Sequence, residues 1–159
     1  MLYAILVAAL VALDQLVKYL VRANIQSGQV IEVIPGLMGL TYVENTGAAF
    51  SMLSEHTWLL TLVSAVVSVA LAVALVKNTV RHPMGKLILA VILAGAVGNL
   101  IDRALMGYVT DMFKTLFMNF AVFNVADICV VCGGIAFVIY VLFFYDKLEK
   151  PNETDSADC

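Results

Sequence analysis

Charge is what this sequence has least of. Only 13% of its 159 residues are Asp, Glu, Lys or Arg, while 62% are hydrophobic. With a mean hydropathy of +0.97, that scarcity excludes an ordinary soluble domain. Basic residues are the scarcer sign, nine against twelve acidic ones, for a net charge of −3. No basic stripe is available to meet phosphates, which excludes a nucleic-acid role, and partners are expected to be lipidic or membrane-bound. H-E-x-x-H and G-x-S-x-G are both missing, so neither zinc-peptidase nor serine-hydrolase chemistry has its parts. No metal and no cofactor are expected. Cysteine is sparse as well. Cys129 and Cys132 form a C-x-x-C inside an apolar run, where small packing residues are expected rather than redox or metal chemistry, and Cys159 ends the polar tail "PNETDSADC".

What is present are four apolar runs of the ~20 residues needed to cross a ~30 Å bilayer core. Thr57 to Val76 and Ile128 to Tyr145 hold no charge, Leu2 to Val21 is broken by Asp14 and Lys18, and Leu87 to Leu105 by Asn99, Asp102 and Arg103. Ionisable groups inside a membrane are costly, so these two helices are where function is sought. Residues 1 to 13 have neither a basic n-region nor an A-x-A site, and Asp14 and Lys18 continue the helical pattern; a retained first helix is expected. The loop "KNTVRHPMGK" carries Lys77, Arg81 and Lys86, and Lys147 and Lys150 follow the fourth run. Their side is cytoplasmic by the positive-inside rule, with both termini on it. The outer side receives residues 23 to 56 and 106 to 126, whose single Lys or Arg is Lys114, and the two histidines, His56 and His82, fall on opposite sides.

The outer segment "QVIEVIPGLMGLTYVEN" is rich in β-branched residues and broken by Pro35-Gly36, the pattern of a β-ribbon. "AAFSMLSEHTW" after it reads as a short interfacial helix. The fold class is thus an α-helical membrane protein: four transmembrane helices with a small extracytoplasmic ribbon. Residues 1–150 are expected to form one domain and 151–159 a disordered tail.

Helical spacing organises the polar residues. Asp14, Lys18 and Arg22 recur at i, i+4 and i+8 on one face, where Asp14 can neutralise Lys18. Gly95, Asn99, Asp102 and Arg103 occupy neighbouring faces of the third helix. Asp111 stands just beyond that helix and Asp127 at the start of the fourth, at one membrane depth although 16 positions separate them. Asn124 with Asp127 three residues later is a capping-box variant, which also suits the helix dipole. Two carboxylates close together in a poorly solvated site share a proton, and one can then take a proton from water while the other gives one up. That is aspartic-peptidase chemistry. A transporter or proton-relay subunit is the main alternative, but it would spread its polar groups across the membrane.

In order, "DQLVK" (Asp14 to Lys18), "NTGAAF" (Asn45 to Phe50), "GNLIDR" (Gly98 to Arg103), "VTDMF" (Val109 to Phe113) and "FNVAD" (Phe123 to Asp127) closely resemble the lipoprotein signal peptidase, or signal peptidase II, family over Leu2 to Tyr145. The resemblance implies that Asp111 and Asp127 are the catalytic dyad. It implies binding and orienting roles for Asn45, Asn99, Arg103 and Asn124, and supporting roles for Asp14, Lys18, Gly47, Gly98 and Asp102. The family's substrate is a bacterial prolipoprotein bearing diacylglycerol on its lipobox cysteine, cut just before that cysteine, and its members are inhibited by the cyclic peptide globomycin. The ribbon and interfacial helix resemble the family's β-cradle and flap-like helix. The basic N-terminal extension common in the family is nearly absent.

Overall fold

The computed structural model describes residues 1–47 and 57–145. The expected interfacial helix, apart from Thr57 and Trp58, lies outside the described residues, as does the tail 151–159. Four helices form as the apolar runs require: α1 (Leu2–Asn24), α2 (Thr57–Val76), α3 (Pro83–Met106) and α4 (Val125–Phe143). Each is long and apolar enough to cross a membrane. Their outward faces are large and hydrophobic, as at Leu62, Val66 and Val69 of α2 or Val131, Ile135 and Val138 of α4, all more than half exposed, as suits contact with lipid. The protein is a multi-pass helical membrane protein.

Helix α3 is the centre of the bundle and packs on α1, α2 and α4. It starts where His82 accepts a hydrogen bond from the Met84 amide with Pro83 at the first position, and it stops at Gly107, whose φ of 79° is left-handed. Close approach to its neighbours depends on small residues. A Cβ on Gly95 would lie 2.8 Å from Val130 Cγ2 on α4, and one on Gly98 would lie 2.6 Å from the Asp14 carboxylate on α1.

Three strands make one antiparallel sheet in the order β1 (Val30–Ile34), β2 (Met38–Asn45) and β3 (Val109–Thr115). The expected ribbon is β1 and β2, joined by a tight turn in which the Leu37 amide donates to Ile34 O, with Gly36 at φ 69° after Pro35. The third strand, which the sequence pattern did not announce, carries Asp111. Val43 pairs with Asp111, Glu44 with Thr110 and Asn45 with Val109. A shift of register between Leu40 and Val43 bends β2 over the helix ends.

Candidate active site

Asp111 is held by the sheet and Asp127 by a helix cap, and one short segment ties the two supports together. The Met112 and Phe113 amides both donate to Phe123 O, at 3.1 and 2.8 Å, and the Phe123 amide returns a bond to Phe113 O. Phe113 and Phe123 also pack ring to ring, 5.6 Å between centroids. Asn124, the next residue, is therefore fixed beside β3. Its side chain and its backbone amide together reach both aspartates. Asn124 Oδ1 accepts from the Asp127 amide at 2.9 Å, Asp127 Oδ2 accepts from the Asn124 amide at 3.1 Å, and Asn124 Nδ2 donates to Asp111 Oδ1 at 2.7 Å. The capping box expected from sequence is present in both directions.

Each carboxylate has a second amide donor. Asn45 Nδ2 donates to Asp111 Oδ2 at 2.9 Å, while Asn45 Oδ1 accepts from the Gly47 amide. Asn99 Nδ2 donates to Asp127 Oδ1 at 2.8 Å. Asn99 Oδ1 accepts from Asn124 Nδ2 and from Lys18 Nζ, so this one side chain connects the aspartates to the ion network beneath.

That network is fully buried. Lys18 Nζ lies 2.9 Å from Asp14 Oδ2 and 3.1 Å from Asp102 Oδ2, with no side-chain exposure at Lys18 and at most 2% at the two carboxylates. Asp14 Oδ1 accepts from the Ala126 amide in the first turn of α4, which satisfies an otherwise orphan helix donor. Asp102 Oδ2 accepts from the Thr110 amide, one residue before Asp111. Gly98 O accepts from Lys18. Arg22 reaches Thr110 Oγ1 at 2.9 Å. The basic residues Lys18 and Arg22, at the same end of the bundle as the aspartates, are thus held by local acceptors.

Adjacent residues on α3 face different ways, about 100° apart around the helix. Asp102 turns inward to Lys18, while Arg103 lines the same cavity as Asp111 and Asp127. Arg103 Nη2 donates to Gly47 O at 3.2 Å, and its buried Nε has no partner among the described residues.

The cavity has a volume of about 440 Å³. At one end stand Asn45, Asn99, Arg103, Asp111 and Asp127, and the other is apolar, formed by Phe120 to Phe123 and by Ile128, Val131 and Cys132 of α4. Cys129 is half-buried, in keeping with packing, but Cys132 is exposed along this apolar wall rather than packed within the bundle. Burial pushes the Asp111 carboxyl up to about 6. The hydrogen bonds from Asn45 and Asn124 oppose the rise, and the neighbouring Asp127 charge adds to it.

Every expected site residue is therefore accounted for in one cluster at one end of the bundle. Sequence reasoning missed Gln15, whose amide donates to Asp14, to Gly98 O and to Asp102 Oδ1 at 3.2, 3.1 and 3.0 Å. Its signal was there: an uncharged polar residue between Asp14 and Lys18 in an apolar helix.

Four membrane-length helices carrying a buried polar cluster at one end define the class, a membrane-embedded protein with a polar site at one end of its bundle. Residues 6–143 match the family described as Signal peptidase (SPase) II, and the chain belongs to that family. It is a peptidase by that membership. It is similar to the lipoprotein signal peptidase of Enterococcus faecalis, 44% identical over 140 residues, covering 88% of this chain and 87% of that protein. The lipoprotein signal peptidase of Clostridioides difficile is 40% identical over 147 residues, covering 92% and 99%. A solved structure described as a bacterial membrane enzyme superposes with a TM-score of 0.83 at 30% identity, covering 94% of this chain and 93% of its own.

Proposed function

We propose that this chain is an aspartic endopeptidase that removes signal peptides from diacylglyceryl-modified bacterial prolipoproteins, cutting just before the lipidated cysteine. Signal-peptide removal follows from family membership and from relatives named lipoprotein signal peptidases; the catalytic type, the lipidated substrate and the roles of individual residues are our reading. The observation that carries it is Asn124, which hydrogen-bonds Asp111 and Asp127 at once, an arrangement that supports two carboxylates sharing one proton. The ionised partner accepts a proton from an attacking water. The protonated partner donates to the scissile carbonyl oxygen, giving a tetrahedral intermediate. Collapse breaks the C–N bond, with a proton passing to the leaving cysteine nitrogen. Asn45, Asn99 and Arg103 offer donors along the polar wall, with Gly47 holding Asn45 and Arg103 in place. Asp14, Lys18, Gly98 and Asp102 keep the helices in register beneath. The apolar arm of the cavity suits the substrate's acyl chains while the scissile bond sits at headgroup depth, a division that also suits a globomycin-type cyclic lipopeptide. A transporter role finds no support, because the polar groups gather at one end and α2 carries no charge.

The test is incubation of the purified protein with one prolipoprotein in its diacylglyceryl and unlipidated forms. Release of the signal peptide from the lipidated form is expected, with the unlipidated form cut far more slowly; equal rates would refute lipid recognition.

The pH dependence carries a sign. Below about pH 6 Asp111 holds its proton; above it the dyad of the free enzyme loses the shared proton. The quantity kcat/KM is therefore expected to fall as pH rises through about 6, and a profile flat from pH 5 to 9 would contradict this. Topology is open to a separate check. The protein is placed in the bacterial cytoplasmic membrane with both termini cytoplasmic and the aspartates at the outer face. A single cysteine at Asn78 in a cysteine-free background should be labelled only from the cytoplasm, and one at Gln29 only from outside; reversed labelling would invert the placement.

A further inference from the structure

At the end of the bundle away from the aspartates, α1 and α2 both pack on α3, leaving a groove between them of about 690 Å³. Val11 and Val97 lie at its deep end, Ala8 and Ala72 in its walls, and Asn78 and Lys86 at its mouth. The small alanines are what keep it open. From Lys86 to Val97 α3 rises about 16 Å, half of a ~30 Å bilayer core, so the groove is as deep as one leaflet.

Its mouth is basic. Lys86 is part-buried, and its ammonium meets no hydrogen-bond or ion-pair partner among the described residues; Lys77 and Arg81 are exposed nearby in the same loop. Every Asp and Glu among the described residues lies on the sheet, in the buried network or at the start of α4, at the other end. A cation with no partner among the described residues, over an apolar slot one leaflet deep, fits a ligand with an acyl chain and an anionic head.

We infer that this groove binds an anionic glycerophospholipid of the leaflet opposite the aspartates, with an acyl chain between α1 and α2 and its phosphate on Lys86. Charge decides against the most obvious rival, the signal peptide of a substrate. Signal peptides carry a basic n-region, which Lys77 and Lys86 would repel, whereas the same residues attract an anionic headgroup.

The test uses the purified full chain in detergent micelles doped with phosphatidylglycerol or with phosphatidylcholine of the same chain length, with bound lipid counted by native mass spectrometry. Phosphatidylglycerol is expected to be retained preferentially. Lys86→Gln should cut that retention about fivefold without changing peptidase turnover in lipid-free detergent, and Ala8→Phe, which fills the wall, should reduce retention of both lipids. Equal retention of the two lipids by the wild type, or a phosphatidylglycerol preference untouched by Lys86→Gln, overturns the inference. So does a photocrosslinker at Ala72 that reacts with the signal peptide of a bound prolipoprotein, or with a second copy of this chain, in preference to lipid.

Discussion

Asp111→Asn and Asp127→Asn should each lower turnover by ~10³-fold or more, and the double variant should be scarcely slower than either single one. Each substitution keeps the size of the side chain and part of its hydrogen bonding but removes the capacity to exchange a proton. General acid–base catalysis contributes ~10²–10⁴-fold, and in the proposed mechanism one proton passes between two groups, so losing either would end the cycle. Groups that act as a unit give strongly non-additive losses. The proposed mechanism treats them as a unit, in line with Asn124 bonding to both carboxylates. The measurement is the initial rate of signal-peptide release by the two single variants and the double variant at equal amounts of folded enzyme. Independent, additive losses would mean the aspartates act at separate steps.

The second large effect is on folding. Lys18 is completely buried and holds the carboxylates of Asp14 and Asp102 at 2.9 and 3.1 Å while donating to Asn99. Lys18→Met fits the space but leaves two buried carboxylates without a counter-charge. Breaking a buried pair in this way costs ~3–5 kcal/mol, a large part of the ~5–15 kcal/mol that holds a domain together. The expected outcome is a marked fall in the thermal unfolding midpoint of the detergent-solubilised protein, with little folded enzyme recovered. Adding Asp14→Asn should restore part of the loss, because one of the stranded charges goes with it. A Lys18→Met protein as stable as wild type would reduce the ion network to decoration.

The helices were legible because a membrane leaves few choices: ~20 apolar residues between polar loops form a spanning helix. Spacing also exposed the Asp14 and Lys18 pair, and the offset of three between Asn124 and Asp127 announced the cap that the structure contains. Other features depended on contacts that no local pattern encodes. "VTDMFKT" has no clean alternation, and it becomes β3 because β2 offers Val43, 68 positions earlier, opposite Asp111. Gln15 stood in plain view, but helical spacing does not reveal that its amide meets Asp14, Gly98 and Asp102 together. Asp102 and Arg103 are neighbours in sequence, and only the positions of Lys18 and Gly47 on other elements determine which one turns inward. The C-x-x-C was read as packing, which suits half-buried Cys129, but the pair straddles the edge of the bundle and Cys132 faces the cavity.

The most direct measurement of the two-aspartate mechanism follows binding and cutting in the same preparation. A diacylglyceryl prolipoprotein carrying a photocrosslinker beside its lipobox is mixed with wild type, Asp111→Asn and Asp127→Asn, each confirmed folded and membrane-inserted, and both crosslinked complex and released signal peptide are quantified. The mechanism predicts that all three capture the substrate, through its lipid and the amides of Asn45 and Asn99, while only the wild type releases the signal peptide. Turnover near the wild-type rate by either aspartate variant would contradict it.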